Sequence, residues 1–104
     1  MKDEYIICAA IWFDDENLYD NPHCKPKNID TGFVIAGMRH CNCLATYQVL
    51  TNKRAPESGI QTVQGFITSR NRFVDRREGN NIAIKSGQVY GNEEGDELMS
   101  EDLY

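Results

Sequence analysis

Four arginines, Arg70, Arg72, Arg76 and Arg77, fall within eight residues of one another in the stretch QGFITSRNRFVDRREGNNIAIKSG, Gln64 to Gly87. A guanidinium is a planar fork of donors that grips phosphate or carboxylate oxygens two at a time, so this cluster suits an anion. Thr68, Ser69 and Asn71 add neutral hydrogen-bonding groups between the arginines, and Arg39-His40 forms a second basic pair upstream. Phe66 and Phe73 are aromatic surfaces on which a base could stack. The bland alternative is that the arginines are solvated and both phenylalanines are core. Phe73, alternating with Val74 at a strand end, suits the core. Residue types alone leave both readings open.

Other chemistry finds less support. His23-Cys24 and His40-Cys41-x-Cys43 offer five soft ligands, but the paired spacing of a structural zinc site is missing. If residues 40–43 are helical, Cys41 and Cys43 diverge and do not share an ion, leaving Cys41 as a buried small hydrophobe and Cys43 beside the loop. A Cys-His nucleophile needs a base within hydrogen-bond reach, and adjacent helical residues point apart. Neither a phosphate-binding glycine loop nor a dinucleotide fingerprint occurs. The expectation is therefore a protein without metal, cofactor or catalytic residues. A degrading enzyme, with His40 or Asp75 as its acid–base group, is the alternative.

The elements that must position these residues follow from pattern. Gly65-Phe66-Ile67-Thr68 and Arg72-Phe73-Val74 read as two strands joined by the turn Ser69-Arg70-Asn71. Asp75 stands three residues before Glu78, the spacing of a capping box, so a helix begins there and Gly87 suits its left-handed stop. A helix start also offers free N–H groups to an anion. Upstream, the nine-residue apolar run Tyr5 to Phe13 reads as a central strand buried on both faces or nearly so. Residues 14–30 read as a long polar loop or an extended hairpin end, Thr31 to Ala36 as a second strand antiparallel to the first, and His40 to Leu50 as a helix. Cys41, Leu44, Ala45, Val49 and Leu50 form that helix's apolar face. Residues 51–59 are a polar connection. The order β, loop, β, α, loop, β-hairpin, α gives one α+β domain, a small, mainly antiparallel sheet with two helices packed on it. Residues 1–91 would form that domain and residues 92–104 an acidic tail, with Leu98, Leu103 and Tyr104 as docking spots.

Charge divides the same way. Residues 1–32 carry three basic and seven acidic side chains, residues 33–91 eight and three, and residues 92–104 six acidic and none basic. The net charge of −5 thus hides a basic middle. Duplex nucleic acid calls for a broader basic face than this, whereas a small anion needs only a local pocket. The acidic tail also admits a third reading, an inhibitor that covers a basic protein surface. The N-terminal apolar run has acids on both sides and no convincing cleavage site, and no run approaches a membrane span. The four cysteines, Cys8, Cys24, Cys41 and Cys43, then read as free thiols in a reducing compartment.

Several motifs occur in a familiar order: Gly37-x-Arg39-His40-Cys41, Gln64-Gly65-Phe66-Ile67-Thr68-Ser69, Arg72-Phe73-Val74-Asp75-Arg76, Ile82-Ala83 with Gly87-Gln88, and Ser100-Glu101-Asp102-Leu103-Tyr104. The pattern resembles a family of small bacteriophage proteins, the first type of Thoeris anti-defence proteins, which act as sponges for immune signalling nucleotides. The resemblance implies a non-catalytic homodimer or higher oligomer in the host cytoplasm. It would sequester a cyclic ADP-ribose-type second messenger, and cyclic oligonucleotides are a further possibility within that family. By motif position, Arg39 would contact phosphate, Phe66 would line the base or ribose, and Asp75 and Arg76 would bond ribose hydroxyls and phosphates. With the donors above, the candidate ligand-binding set is Arg39, His40, Phe66, Thr68, Arg72, Phe73, Asp75 and Arg76. Segment 14–30 is longer, and the connection 51–59 shorter, than the pattern leads one to expect.

Overall fold

The computed structural model describes residues 3–19, 25–54 and 59–103. Its strands are β1 (Ile6–Asp14), β2 (Phe33–Gly37), β3 (Gln61–Thr68) and β4 (Phe73–Asp75), and its helices α1 (His40–Thr51) and α2 (Arg76–Lys85), with a 3-10 turn at Ser100–Asp102. The strands form one antiparallel sheet in the order β2-β1-β3-β4. This is the expected α+β architecture, and β1 is central as its unbroken apolar run requires.

Alternation along β1 divides the core into two layers. Ala9, Ile11 and Phe13 face the helices. Ala9 joins Phe66, Val74, Ala83 and Leu98 beneath α2, while Ile11 and Phe13 join Cys43 and Tyr47 beneath α1. Phe13 stacks on Tyr47 at a centroid distance of 4.5 Å. The opposite face presents Ala10 and Trp12, and no helix among the described residues covers it. It is covered by Ile29, which is 4% exposed and packs with Phe73 and Val63. Part of the segment expected to be a polar loop or hairpin end is therefore a second cover layer. Asn28 ties it down by imitating a strand: its Oδ1 accepts from Phe73 N–H (2.8 Å) and its Nδ2 donates to Phe73 O (2.6 Å).

The β3–β4 hairpin feeds α2 as expected. Thr68 N–H donates to Arg72 O (3.0 Å), and Asn71 takes the left-handed φ of 56° that closes the turn. Strand β3 begins at Gln61, before the apolar run that marks it in the sequence. Asp75 caps α2, its Oδ1 accepting from Glu78 N–H (2.8 Å). Glu78 does not return the bond through its side chain; its carboxylate lies 3.1 Å from Arg72 Nη2. At the far end, Gln88 N–H donates to Ala83 O (2.8 Å) across Gly87, whose φ is +78°. That is the expected glycine stop.

One expectation about α1 is corrected. Its buried residues are His40, Cys43 and Tyr47, whereas Val49 and Leu50 are 81% and 73% exposed. The roles given to two cysteines are exchanged: Cys43 is buried and Cys41 exposed. The helix has no charged residue, so its two faces contrast little in polarity, and contact with β1 and β2 selects the inner one. Burial pushes the Cys43 thiol up to about 11 and also raises that of Cys8. All three described cysteines are free, and His23 and Cys24 lie outside the described residues. A short pulse of an alkylating reagent on native protein is therefore expected to modify Cys41 and leave Cys43 untouched until denaturant is added. Peptide mass mapping reads the difference, and equal labelling of the two would contradict the assigned helix face.

The acidic C-terminal segment is anchored through its middle. Leu98 is fully buried, its N–H donates to Arg76 O (2.9 Å), and Asn80 Nδ2 donates to Glu93 O (2.9 Å). Leu103 packs against the same core cluster, and Tyr104 lies outside the described residues.

Candidate functional site

The basic centre that looks continuous in sequence is divided in space. Arg72 turns inward. Its Nε donates to Glu4 Oε2 (2.9 Å), and its Nη2 donates to Glu4 Oε1 (2.8 Å) while lying 3.1 Å from Glu78 Oε2. Thr68 is buried and its hydroxyl donates to Glu4 Oε2 (2.5 Å). The Arg72 hydrogen bonds hold the Glu4 carboxyl down at about 2, and the same pair raises the arginine. Arg72 and Thr68, both expected to face a ligand, instead form an internal clamp between the chain start and the hairpin turn. Their partner Glu4 carried no signal in the sequence, because nothing local relates it to Arg72.

Phe66 is also corrected. Phe66 is fully buried, its ring edge-to-face with His40 at 5.3 Å, so it offers no face to a base. Phe73 is 6% exposed and sits in the opposite core layer. His40 is buried as well, with Nε2 2.9 Å from Gly65 O. A carbonyl only accepts, so Nε2 carries the proton and donates. Burial lowers the His40 pKa, with Arg76 adding to the effect against the hydrogen bond to Gly65 O, and the lowered value favours the neutral ring. Its role here is to fasten α1 to β3. Arg39 is the N-cap of α1, with Nη1 3.8 Å from Glu101 Oε1.

Asp75 and Arg76 remain, and they do meet at an open cleft. A cavity of about 390 Å³ lies between the start of β3 and the start of α2, lined by Thr62, Val63, Gln64, Asp75, Arg76, Arg77 and Glu97. Arg76 Nη2 donates to Gln64 Oε1, yet its Nε is buried without any hydrogen-bond partner among the described residues. A buried guanidinium N–H left unpaired is costly and calls for an acceptor. Arg77 brings a second positive charge, while Asp75 and Glu97 mark acidic borders. Thr62 and Gln64 were missed in the sequence reading. Strand alternation places them on one face with Phe66, and extending the strand back to Gln61 would have exposed them as candidates.

Of the eight candidate residues, the fold brings Asp75 and Arg76 to the cleft. It places Phe66, His40 and Thr68 inside, ties Arg72 to Glu4, holds Phe73 in the opposite core layer, and sets Arg39 at the start of the other helix. Among the described residues no group of three or more His, Cys, Asp or Glu is placed to hold a metal ion. No helix among them is long and apolar enough to cross a membrane.

Neither the curated proteins nor the solved structures contain a match to this chain. A family model described as phage T4 y16D protein matches residues 5–104, nearly the whole chain. The chain therefore belongs to the phage T4 y16D protein family and is a bacteriophage protein.

Proposed function

We propose that this phage protein is an anti-defence sponge, which captures a nucleotide signal of the cyclic ADP-ribose class and holds it uncleaved. The carrying observation is the unpaired, buried Nε of Arg76 on the wall of the 390 Å³ cleft, with Arg77 beside it. A phosphate held by the Arg76 guanidinium neutralises its charge, and a shift of the side chain from Gln64 toward the phosphate gives the buried N–H its acceptor. The cleft volume falls within the range of about 300–1,000 Å³ common to small-molecule sites. The nucleotide and its immune role come from the sequence resemblance, chiefly RFVDR and SEDLY. His40 is buried, with Nε2 committed to Gly65 O, and is not among the residues that line the cleft, which favours sequestration over turnover through this residue. In this reading the protein works in the host cytoplasm as a homodimer or higher oligomer.

The test is to incubate pure protein with cyclic ADP-ribose isomers and cyclic oligonucleotides, remove free ligand, heat-denature, and identify what is released by mass spectrometry. Intact ligand at near-stoichiometric yield is expected. Arg76→Ala should weaken capture by roughly 10–100-fold, the worth of one or two charge-assisted hydrogen bonds, with the unfolding midpoint little changed. Recovery of altered ligand would make the protein an enzyme, and capture of none would end the nucleotide reading.

A further inference from the structure

Strand β3 has an edge that its partner does not cover. Strand β4 pairs only with Gly65 to Ile67, whereas β1 pairs with β3 along its whole length. Thr68 N–H points to the β4 side, reaching Arg72 O. With a strand period of two, Thr62 and Gln64 turn their main-chain N–H and C=O groups to the same side, beyond the end of β4. Two clefts flank this open edge. The arginine cleft lies on the helix-bearing face of the sheet. A second, of about 350 Å³, lies on the opposite face against Trp12, Ile29, Val63 and Phe73, and reaches Asp75 and Glu78. The two share Val63 and Asp75.

We infer that the ligand sits astride the open edge of β3, with its phosphates on the Arg76–Arg77 side and an adenine-type base in the second cleft against Trp12 and Phe73. This rests on the capture reading above and adds where the base goes. Charge sets the polarity. The described lining of the second cleft carries Asp75 and Glu78, the latter paired with Arg72, and no lysine or arginine, so it offers phosphate no cationic partner of its own. Carboxylates and an aromatic wall instead suit an uncharged ring with an exocyclic amine. The wall is firmly set: Trp12 Nε1 donates to Thr31 O (2.9 Å), and the Trp12 and Phe73 rings lie 6.2 Å apart, tilted by 58°. Between the clefts, Asp75 spends Oδ1 on the helix cap, and its second oxygen is the acceptor nearest a ribose hydroxyl. This gives the base an aromatic surface that Phe66, sealed in the core, does not provide.

Trp12 is the single tryptophan of the chain, so its fluorescence reports on the second cleft alone. Native protein is titrated with cyclic ADP-ribose and, separately, with inorganic pyrophosphate. Emission is excited on the red edge of indole absorption, where adenine is transparent, and binding is measured in parallel by equilibrium dialysis. The nucleotide should quench Trp12 saturably, with the midpoint that dialysis gives. Pyrophosphate should displace the nucleotide and leave Trp12 emission unchanged. Nucleotide bound without any change at Trp12 overturns the placement and leaves capture standing. Pyrophosphate quenching as strong as that of the nucleotide also overturns it, because the signal then does not report the base. Binding of neither probe removes the capture reading, and the placement with it.

Discussion

Gly65→Ala is expected to destabilise the protein by more than about 3 kcal/mol, the upper range for a single overpacked position. A Cβ built on Gly65 would lie 2.0 Å from Val74 O, 2.8 Å from Phe73 Cζ and 2.9 Å from Val74 C. Two of these three atoms are main chain, so rotating a side chain gives no relief and β4 itself must move away. Strand β4 is three residues long and pairs with β3 at Gly65, Phe66 and Ile67. Moving it also displaces Asp75, the cap of α2, and disturbs Gly65 O, the acceptor of His40. Urea titration followed by tryptophan emission measures the loss. A midpoint equal to that of the native chain would show that the close approach of β3 and β4 is not real.

Glu4→Gln should cost about 1–3 kcal/mol at neutral pH and flatten the acid limb of the stability curve. The Glu4 side chain is 13% exposed and that of Arg72 29%, so solvent screens the pair only in part. The amide keeps the shape of the carboxylate but has one acceptor oxygen, where the carboxylate serves two arginine N–H groups and the Thr68 hydroxyl. The direction with pH follows from the clamp. The Glu4 pKa stands at about 2 in the folded chain against an ordinary 4.5. Its stabilisation is therefore complete above about 4.5 and drains away as pH falls toward about 2, where the folded carboxyl takes up its proton. Denaturation at neutral pH and again between those two values should show the native chain losing stability while the variant loses less. Parallel losses would mean that Glu4 and Arg72 are not coupled in solution.

The parts of the fold legible in the sequence are those whose causes are local. Asp75 and Glu78 mark a helix start because a side-chain oxygen meets an N–H three residues on, and Gly87 marks the stop because its φ of +78° suits glycine. The nine-residue apolar run had to be central, since an edge position would leave one side of it in water. The inner face of α1 was not legible, because a helix with no charged residue shows little contrast between its faces. The cover over Trp12 and Ala10 was also hidden, since Ile29 is one apolar residue in a polar stretch and only its position over the sheet makes it core.

The candidate site divides along the same line. Residue types alone gathered four arginines between positions 70 and 77, a set suited to an anion, because the arginines are there whatever the fold. Tertiary structure decided which of them line a cleft. Arg72 is taken by a carboxylate 68 residues away in the chain, whereas Arg76 keeps an unpaired N–H beside an open cleft. A guanidinium binds the nearest acceptor that the fold provides. Strand pairing brought Glu4 to one arginine and left the other facing the open end of β3.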